Sequence, residues 1–438
     1  MPTPVPKLWR NWAGNQTCAP SALERSGSEA EVVDVVRRAV AERRRVKVVG
    51  AGHSFTGIAC TDGHLVDIGR LDRVLDVDAV AGTVTVEAGI TLAALSDALD
   101  ARGLALENMG DIGYQTLAGA TATATHGTGT RFGNLASNIV GLRLVTADGA
   151  VGDASPEVLD VARVGLGALG IVTAITLKVV PAFRLHALEE PMPIDDVLAD
   201  FDAFMHQTDH VELYWVPGTR WALTKRNTRT QDAPRPRPAL TRFRDDVLIS
   251  NVAFGAVCRA GRRFPRAIPR LAKAMPSAAH ADFVDRSDKV FTSPRLVRFY
   301  EMEYAIPLEA VPEALNQVRA LVGRLRVPIS FPVEVRAVAG DDIPLSTAYG
   351  RATGYIAVHV YRGTPYDQYF QGVEAIMDGY GGRPHWGKLH FQSAATLAPR
   401  YPRWSELIAL RDRLDPHGVF ANPYLDRVLG PVSRGRAG

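Results

Sequence analysis

Cysteine is scarce: the chain carries three, Cys18, Cys60 and Cys258, an odd number without paired spacing. That argues against a disulfide framework and against a cysteine-based metal site, and it fits a reducing cytoplasm. An excess of one charge is also missing. Fifty basic residues face 47 acidic ones, for a net +3, too even a balance for nucleic acid or an anionic membrane as the main partner. Lysine supplies only seven of the basic residues, so a lysine inside a motif stands out. The N-terminal MPTPVPKLWRNWAG has no apolar run of signal-peptide type. The most apolar stretch, Val164–Leu177, reaches about two-thirds of a membrane span and is cut by Gly and Thr, so it reads as a buried strand–turn–strand. Neither a fixed-period repeat nor a low-complexity tract is present.

What is there is an ordinary globular composition. With 438 residues, 46% apolar and 22% charged, the chain is long enough for two or three domains, each with its own core. Up to Pro181, short β-rich runs alternate with helical ones. Ser28 and Glu31 form an S-x-x-E capping box ahead of a helix, EAEVVDVVRRAVAERR. RVKVVGAGHS is a strand ending in a Gly-rich turn, and SNIVGLRLVTADGAV is a strand with an Ala-Asp-Gly turn. The helices are unevenly interleaved, which argues against a doubly wound parallel sheet. Beyond Pro181 the texture changes. Gln231–Asp246, rich in Arg and Pro, reads as an exposed loop. RFYEMEYAIPLEAVPEALNQVRALVGRLR reads as strand then helix, IAVHVYR as a strand, and YFQGVEAIMDGYGG as a helix.

Five constellations carry chemistry. In VVGAGHSF, a strand feeds Gly50-x-Gly52, where backbone N–H groups can approach a phosphate closely. Phe55 stands where a dinucleotide fingerprint would have its third glycine, and His53 directly follows the glycines. In LAGATATATHGTG, Leu117–Gly129, residues without volume run almost uninterrupted. Such a segment is either a tightly packed small-residue strand or a backbone lying against a flat or anionic ligand. VGLGALGIV, by itself, is a turn between strands. FPVEVRAV holds Glu334-x-Arg336, side by side on one face of an apolar strand; a surface ion pair is the commoner meaning of that spacing. RPHWGKLH brings His385, Trp386, Lys388 and His390 into eight residues, or is a mixed surface loop.

In this order and at these distances, the five motifs resemble the aldonolactone oxidoreductases, a branch of the vanillyl-alcohol oxidase flavoprotein superfamily that has alditol oxidases as cousins. The resemblance runs from NWAGNQTCAP to FANPYLDRVLG. It implies an α+β fold: a two-subdomain FAD-binding domain, residues 1–181, then a substrate cap with a large antiparallel sheet, residues 182–438, whose C-terminal segment returns to the flavin. It implies covalent FAD attached through His53, with Val49, Gly50, Ala51, Gly52, Ser54 and Phe55 around the pyrophosphate. Thr116, Gly119, Thr123, Thr125, His126 and Gly127 would line the cofactor, Ile171 its adenine side, and His385 the flavin.

The resemblance places Glu334, Arg336 and Lys388 at the substrate. Arg336 and Lys388 are expected to stabilise charge and orient, and Glu334 to bind the substrate hydroxyl, with the proton acceptor left open. Asp111 matches a serine of alditol oxidases and favours the lactone branch. Gly110, beside the flavin edge, leaves a path for O₂. The likeness to dehydrogenase branches points instead to a dye or cytochrome acceptor, with slow peroxide formation. The implied reaction is oxidation of an aldonolactone such as L-gulono-1,4-lactone at C2 by hydride transfer to flavin N5, giving an ascorbate-type product. The alternatives are an alditol oxidase, or a flavin-binding module without activity. No metal is expected. Arg259, Arg262, Arg263, Arg266 and Arg270 invite a membrane-surface reading, but Pro265 and Pro269 would break the helix it needs.

Overall fold

Strand Ala22–Arg25, helix Glu29–Ala41 and strand Val46–Val49 form a crossover unit in the computed structural model, which describes residues 8–264, 280–325 and 329–433. The helix buries Val32, Val33, Val35, Val36 and Ala39, the stripe its sequence spacing lays on one face. Ser28 caps it by accepting from the Glu31 N–H at 3.3 Å. The Glu31 carboxylate reaches back to the Gly27 N–H rather than to Ser28, so the capping box is displaced by one residue. The two strands flank His64–Asp67 in a three-stranded parallel sheet.

A second sheet in this half is antiparallel and five-stranded, in the order Val151–Asp153, Ile139–Val145, Ile171–Lys178, Thr83–Glu87 and Val74–Asp78. The predicted strand–turn–strand over Val164–Leu177 holds only one strand, which starts at Ile171. Leu166 and Gly167 have φ of 54° and 63°, a left-handed pair that no strand accommodates. The small-residue segment is not a strand either. It is a short helix, Leu117–Ala122, followed by an irregular buried stretch.

The later half is built on an eight-stranded antiparallel sheet. Its order is Ala281–Arg286, Arg184–Pro193, Trp221–Thr230, His210–Trp215, Val333–Val338, Thr353–Tyr361, Phe299–Pro307 and Arg383–Pro384. Helices Val311–Arg324 and Asp367–Asp378 cover one face, burying Leu315, Val318, Phe370 and Val373 against Met302, Val335 and Val358. The Arg/Pro-rich segment is exposed, but it is a loop only as far as Pro238. A continuous helical stretch then runs from Ala239 to Arg263, with π geometry over Phe243–Ala253. Proline sets the backbone dihedral needed to begin a helix, so the last proline of the run starts one instead of prolonging the loop. Pro265, Arg266, Pro269 and Arg270 lie outside the described residues.

The end of the chain returns to the first core, where Trp386, Tyr401, Leu410, Phe420 and Leu429 pack with Val36, Val46 and Leu144. The Asn422 amide donates to the carbonyls of Gly57, Ile58 and Cys60. Cys18 and Cys60, remote in sequence, are neighbours as free thiols. Burial and the adjacent Cys18 push the Cys60 thiol up to about 12. Among the described residues, no helix is long and apolar enough to cross a membrane.

Candidate active site

Strand Val46–Val49 delivers the loop Gly50–Phe55 to one wall of an elongated cleft. A Cβ at Gly50 would overlap the Thr116 hydroxyl, so glycine here lets the first motif lie directly on the second. Gly52 has φ +66°, a value that turns the chain sharply before His53. The loop is clamped from the N-terminal hairpin. Trp12 N donates to Gly52 O at 2.9 Å, and the Asn11 and Asn15 amides donate to Ser54 O and Phe55 O.

The His53 ring lies between Trp12, at a centroid distance of 5.0 Å, and Tyr114, at 4.7 Å. Neither ring nitrogen has a hydrogen-bond partner among the described residues. Burial, and then the Lys388 cation, push the His53 imidazole down to about 4. It is a neutral nitrogen base at pH 7.

Val49, Ala51, Ser54, Phe55, Thr116, Gly119, Thr123, Ile171, His385 and Lys388 line the same cleft. Among the described residues, the Thr116 and Thr125 hydroxyls are buried without a hydrogen-bond partner. Buried polar groups are normally satisfied, so the Thr116 hydroxyl, which lines the cleft, and the space held open by Gly50 fit a polar cofactor laid along the segment. Thr125, His126 and Gly127 sit behind the cleft wall. His126 stacks on Tyr355 at 3.5 Å and places Nε2 3.3 Å from Glu303 Oε1. His385 Nδ1 accepts from Gly387 N at 3.0 Å, and burial pushes its imidazole down to about 3.

Glu334 and Arg336 do share a face of strand Val333–Val338, and both are buried. The surface-ion-pair reading of that spacing is therefore excluded. Arg336 Nη2 lies 2.5 Å from Glu334 Oε1 and 2.5 Å from Asp111 Oδ1, while its Nε donates to Glu212 at 2.8 Å. The Tyr214 hydroxyl lies between Asp111 and Glu334, at 3.2 and 3.4 Å. Burial raises the Asp111 carboxyl, but Arg336 and Arg295 outweigh it and hold the group well below the carboxylate range. Glu334 goes the other way. Burial, with the nearby carboxylates of Asp111 and Glu212, raises it beyond what Arg336 offsets.

Lys388 is ion-paired with Glu301. Burial lowers the lysine, yet Glu301 and Glu303 raise it further, so it is an ammonium. Glu301 is held down to about 2, because Lys388 and His359 overcome its burial. His359 Nε2 is 3.3 Å from Glu301 and 4.0 Å from Glu334, and so connects the two charge clusters.

The sequence reading missed Glu212, Tyr214, Arg295, Glu301, Glu303 and His359. Part of the signal was present: Glu301-x-Glu303 and Glu212-x-Tyr214 repeat the spacing of Glu334-x-Arg336 on apolar strands. Lys47 was also missed. It is buried in the cleft wall, donates to the carbonyls of Gly167 and Phe420, and is pushed down to about 7 by burial.

A cleft lined by the Gly50–Phe55 loop and reaching Glu301 and Lys388, with the cluster of Asp111, Glu212, Glu334 and Arg336 linked to it through His359, fits a cofactor-dependent oxidoreductase. Residues 20–155 match the FAD binding domain model and residues 175–428 the D-arabinono-1,4-lactone oxidase model. The chain belongs to the D-arabinono-1,4-lactone oxidase family of FAD-dependent oxidoreductases. It is 51% identical to the L-gulono-1,4-lactone dehydrogenase of Mycobacterium tuberculosis, over 97% of this chain and 99% of that one. It is 35% identical to the L-gulonolactone oxidase of Bos taurus and 34% to the alditol oxidase of a Streptomyces species, in each case over 96% of this chain and 98% of the relative. A solvent-stable cholesterol oxidase shares the fold, with a TM-score of 0.82 at 21% identity, covering 97% of both chains.

Proposed function

We propose that the protein oxidises an aldonolactone of the L-gulono-1,4-lactone type at its C2 hydroxyl, giving an ascorbate-type product. Residues 1–181 would hold FAD and residues 182–438 the substrate. Bound FAD would supply the hydride acceptor, at N5. The observation that carries this reading is the charge cluster in which Arg336 contacts Glu334, Asp111 and Glu212, with the Lys388–Glu301 pair lining the cleft of the Gly50–Phe55 loop; within it Glu334 is raised and Asp111 depressed. Environments that push two titratable groups apart mark an acid–base assignment. Glu334 takes the hydroxyl proton, and Asp111 stays ionised to fix Arg336. Arg336 and the Lys388 ammonium orient the substrate and stabilise negative charge on the oxygen that loses its proton.

His53 is proposed as the covalent attachment point. Its neutral, unbonded imidazole, held between two aromatic rings at the mouth of the Gly50–Gly52 turn, is suited to forming a bond through nitrogen. Electrons would pass to a dye or cytochrome acceptor in preference to O₂, and the reaction would run in the cytoplasm. The test is kcat/KM for L-gulono-1,4-lactone against xylitol, with a dye acceptor. The lactone is expected to be preferred at least tenfold, and an equal or reversed preference would move the protein to the alditol oxidases.

A further inference from the structure

Successive side chains of a strand point to opposite faces, and the entry to strand Phe299–Pro307 uses both. Phe299 and Glu301 face the flavin cleft, whereas Arg298 and Tyr300 line a separate cavity of about 620 Å³. That volume lies within the range of small-molecule sites. The other wall is the helix Phe254–Arg263, which contributes Arg259 and Arg262, and Arg362 closes one end.

Four arginines thus converge on one cavity, and among the described residues no aspartate or glutamate lines it. Among the described residues, none of the four forms an ion pair, although Arg336, Arg295 and Arg286 elsewhere each have carboxylate partners. The arrangement is fixed by backbone contacts. Arg262 Nη1 donates to Arg362 O at 3.2 Å, and Arg362 N donates to Arg298 O at 3.2 Å. The Asn251 side chain holds the facing loop through Pro294 O and the N–H groups of Leu296 and Val297. Like charges gathered without a counter-ion repel one another, and the guanidinium fork matches the oxygens of a phosphate.

We propose that this cavity, between helix Phe254–Arg263 and the start of strand Phe299–Pro307, is a second binding site, for a small phosphate-bearing anion, separate from the flavin cleft. Val252, Val297, Tyr300 and Tyr361 offer apolar and aromatic surface to the rest of such a ligand.

The test is calorimetric titration of the FAD-loaded protein, its flavin site already filled, with inorganic pyrophosphate. Saturable binding at one site per chain is expected, weakened by added salt and at least tenfold weaker in Arg259→Gln/Arg298→Gln. Both side chains are exposed, so the variant should keep its flavin spectrum and melting temperature. Arg259→Lys, which keeps charge but loses the fork, should fall between the two. Absence of saturable binding, or equal binding by wild type and the double variant, overturns the proposal. So does association with phosphatidylglycerol vesicles that pyrophosphate does not compete away, since the arginines would then serve a membrane surface.

Discussion

Asp111 Oδ1 lies 2.5 Å from Arg336 Nη2, which ties a loop of the first half of the chain to the central strand of the eight-stranded sheet. Arg295 approaches the other carboxylate oxygen at 2.5 Å. One half-buried anion therefore holds two cations in place, leaving Glu334 as the carboxyl whose environment favours taking up a proton.

That contrast sets the pH dependence of substrate oxidation. A base must be ionised to accept a proton, and Glu334 is raised above the ordinary glutamate value of about 4.3. Flavin reduction by substrate should therefore slow as pH falls through that raised value, at a higher pH than an unperturbed glutamate would give. Glu334→Gln should lower kcat/KM by about 10²–10⁴ and remove the acidic limb. Arg336→Lys should be nearly as damaging, since a point charge cannot span Glu334, Asp111 and Glu212. Near-normal turnover in either variant would make the cluster purely structural.

His53→Ala should abolish covalent attachment while leaving a protein that binds FAD reversibly. Acid precipitation is the readout, giving a yellow pellet for wild type and a colourless one for the variant. Flavin retained in the variant pellet would place the attachment elsewhere.

Glu301 gives a stability prediction. Its folded-state value of about 2 lies below the unfolded value of about 4.3. The stabilisation is present above the unfolded value and is lost as pH falls through 4 towards 2. Glu301→Gln strips the Lys388 ammonium of its partner, a change that costs about 3–5 kcal/mol in buried pairs. Melting temperatures at pH 7 and pH 3 should show a large deficit for the variant at pH 7 and a smaller one at pH 3.

Gly110 is the position the resemblance sets beside the flavin edge, although it does not line the cleft. It is buried, and a Cβ there would lie 3.0 Å from His126 O and 3.6 Å from Thr125 Cγ2. Gly110→Ala must therefore shift this backbone by a few tenths of an ångström while filling the space beside it. Reoxidation of the reduced enzyme in air-saturated buffer should slow, with anaerobic reduction by lactone unchanged. Equal reoxidation rates would show that this position does not gate oxygen.

The glycine loop that lines the cleft was legible in sequence because Gly50, Gly52 and His53 fall within four residues and are chemically unusual. Glu334 and Arg336 were legible because a two-residue period on an apolar strand leaves little ambiguity about their shared face. The rest of the charge cluster was not. Glu212, Arg295 and Glu301 come from three separate segments, two strands and a loop, and only the folded chain brings them to Asp111, Arg336 and Lys388. The strand expected ahead of the Leu166–Gly167 turn was misread for a different reason. Apolar residues filled both the strand and the loop before it, and hydrophobicity carries no information about the sign of φ.

The central claim is oxidation at C2, and the most direct measurement is anaerobic stopped-flow reduction of the bound flavin by L-gulono-1,4-lactone carrying deuterium at C2. The account predicts that lactone bleaches the flavin in a single turnover, with a rate several-fold slower for the C2-deuterated substrate and unchanged by deuterium at other carbons. Bleaching insensitive to C2 deuterium, or no bleaching at all, would contradict it.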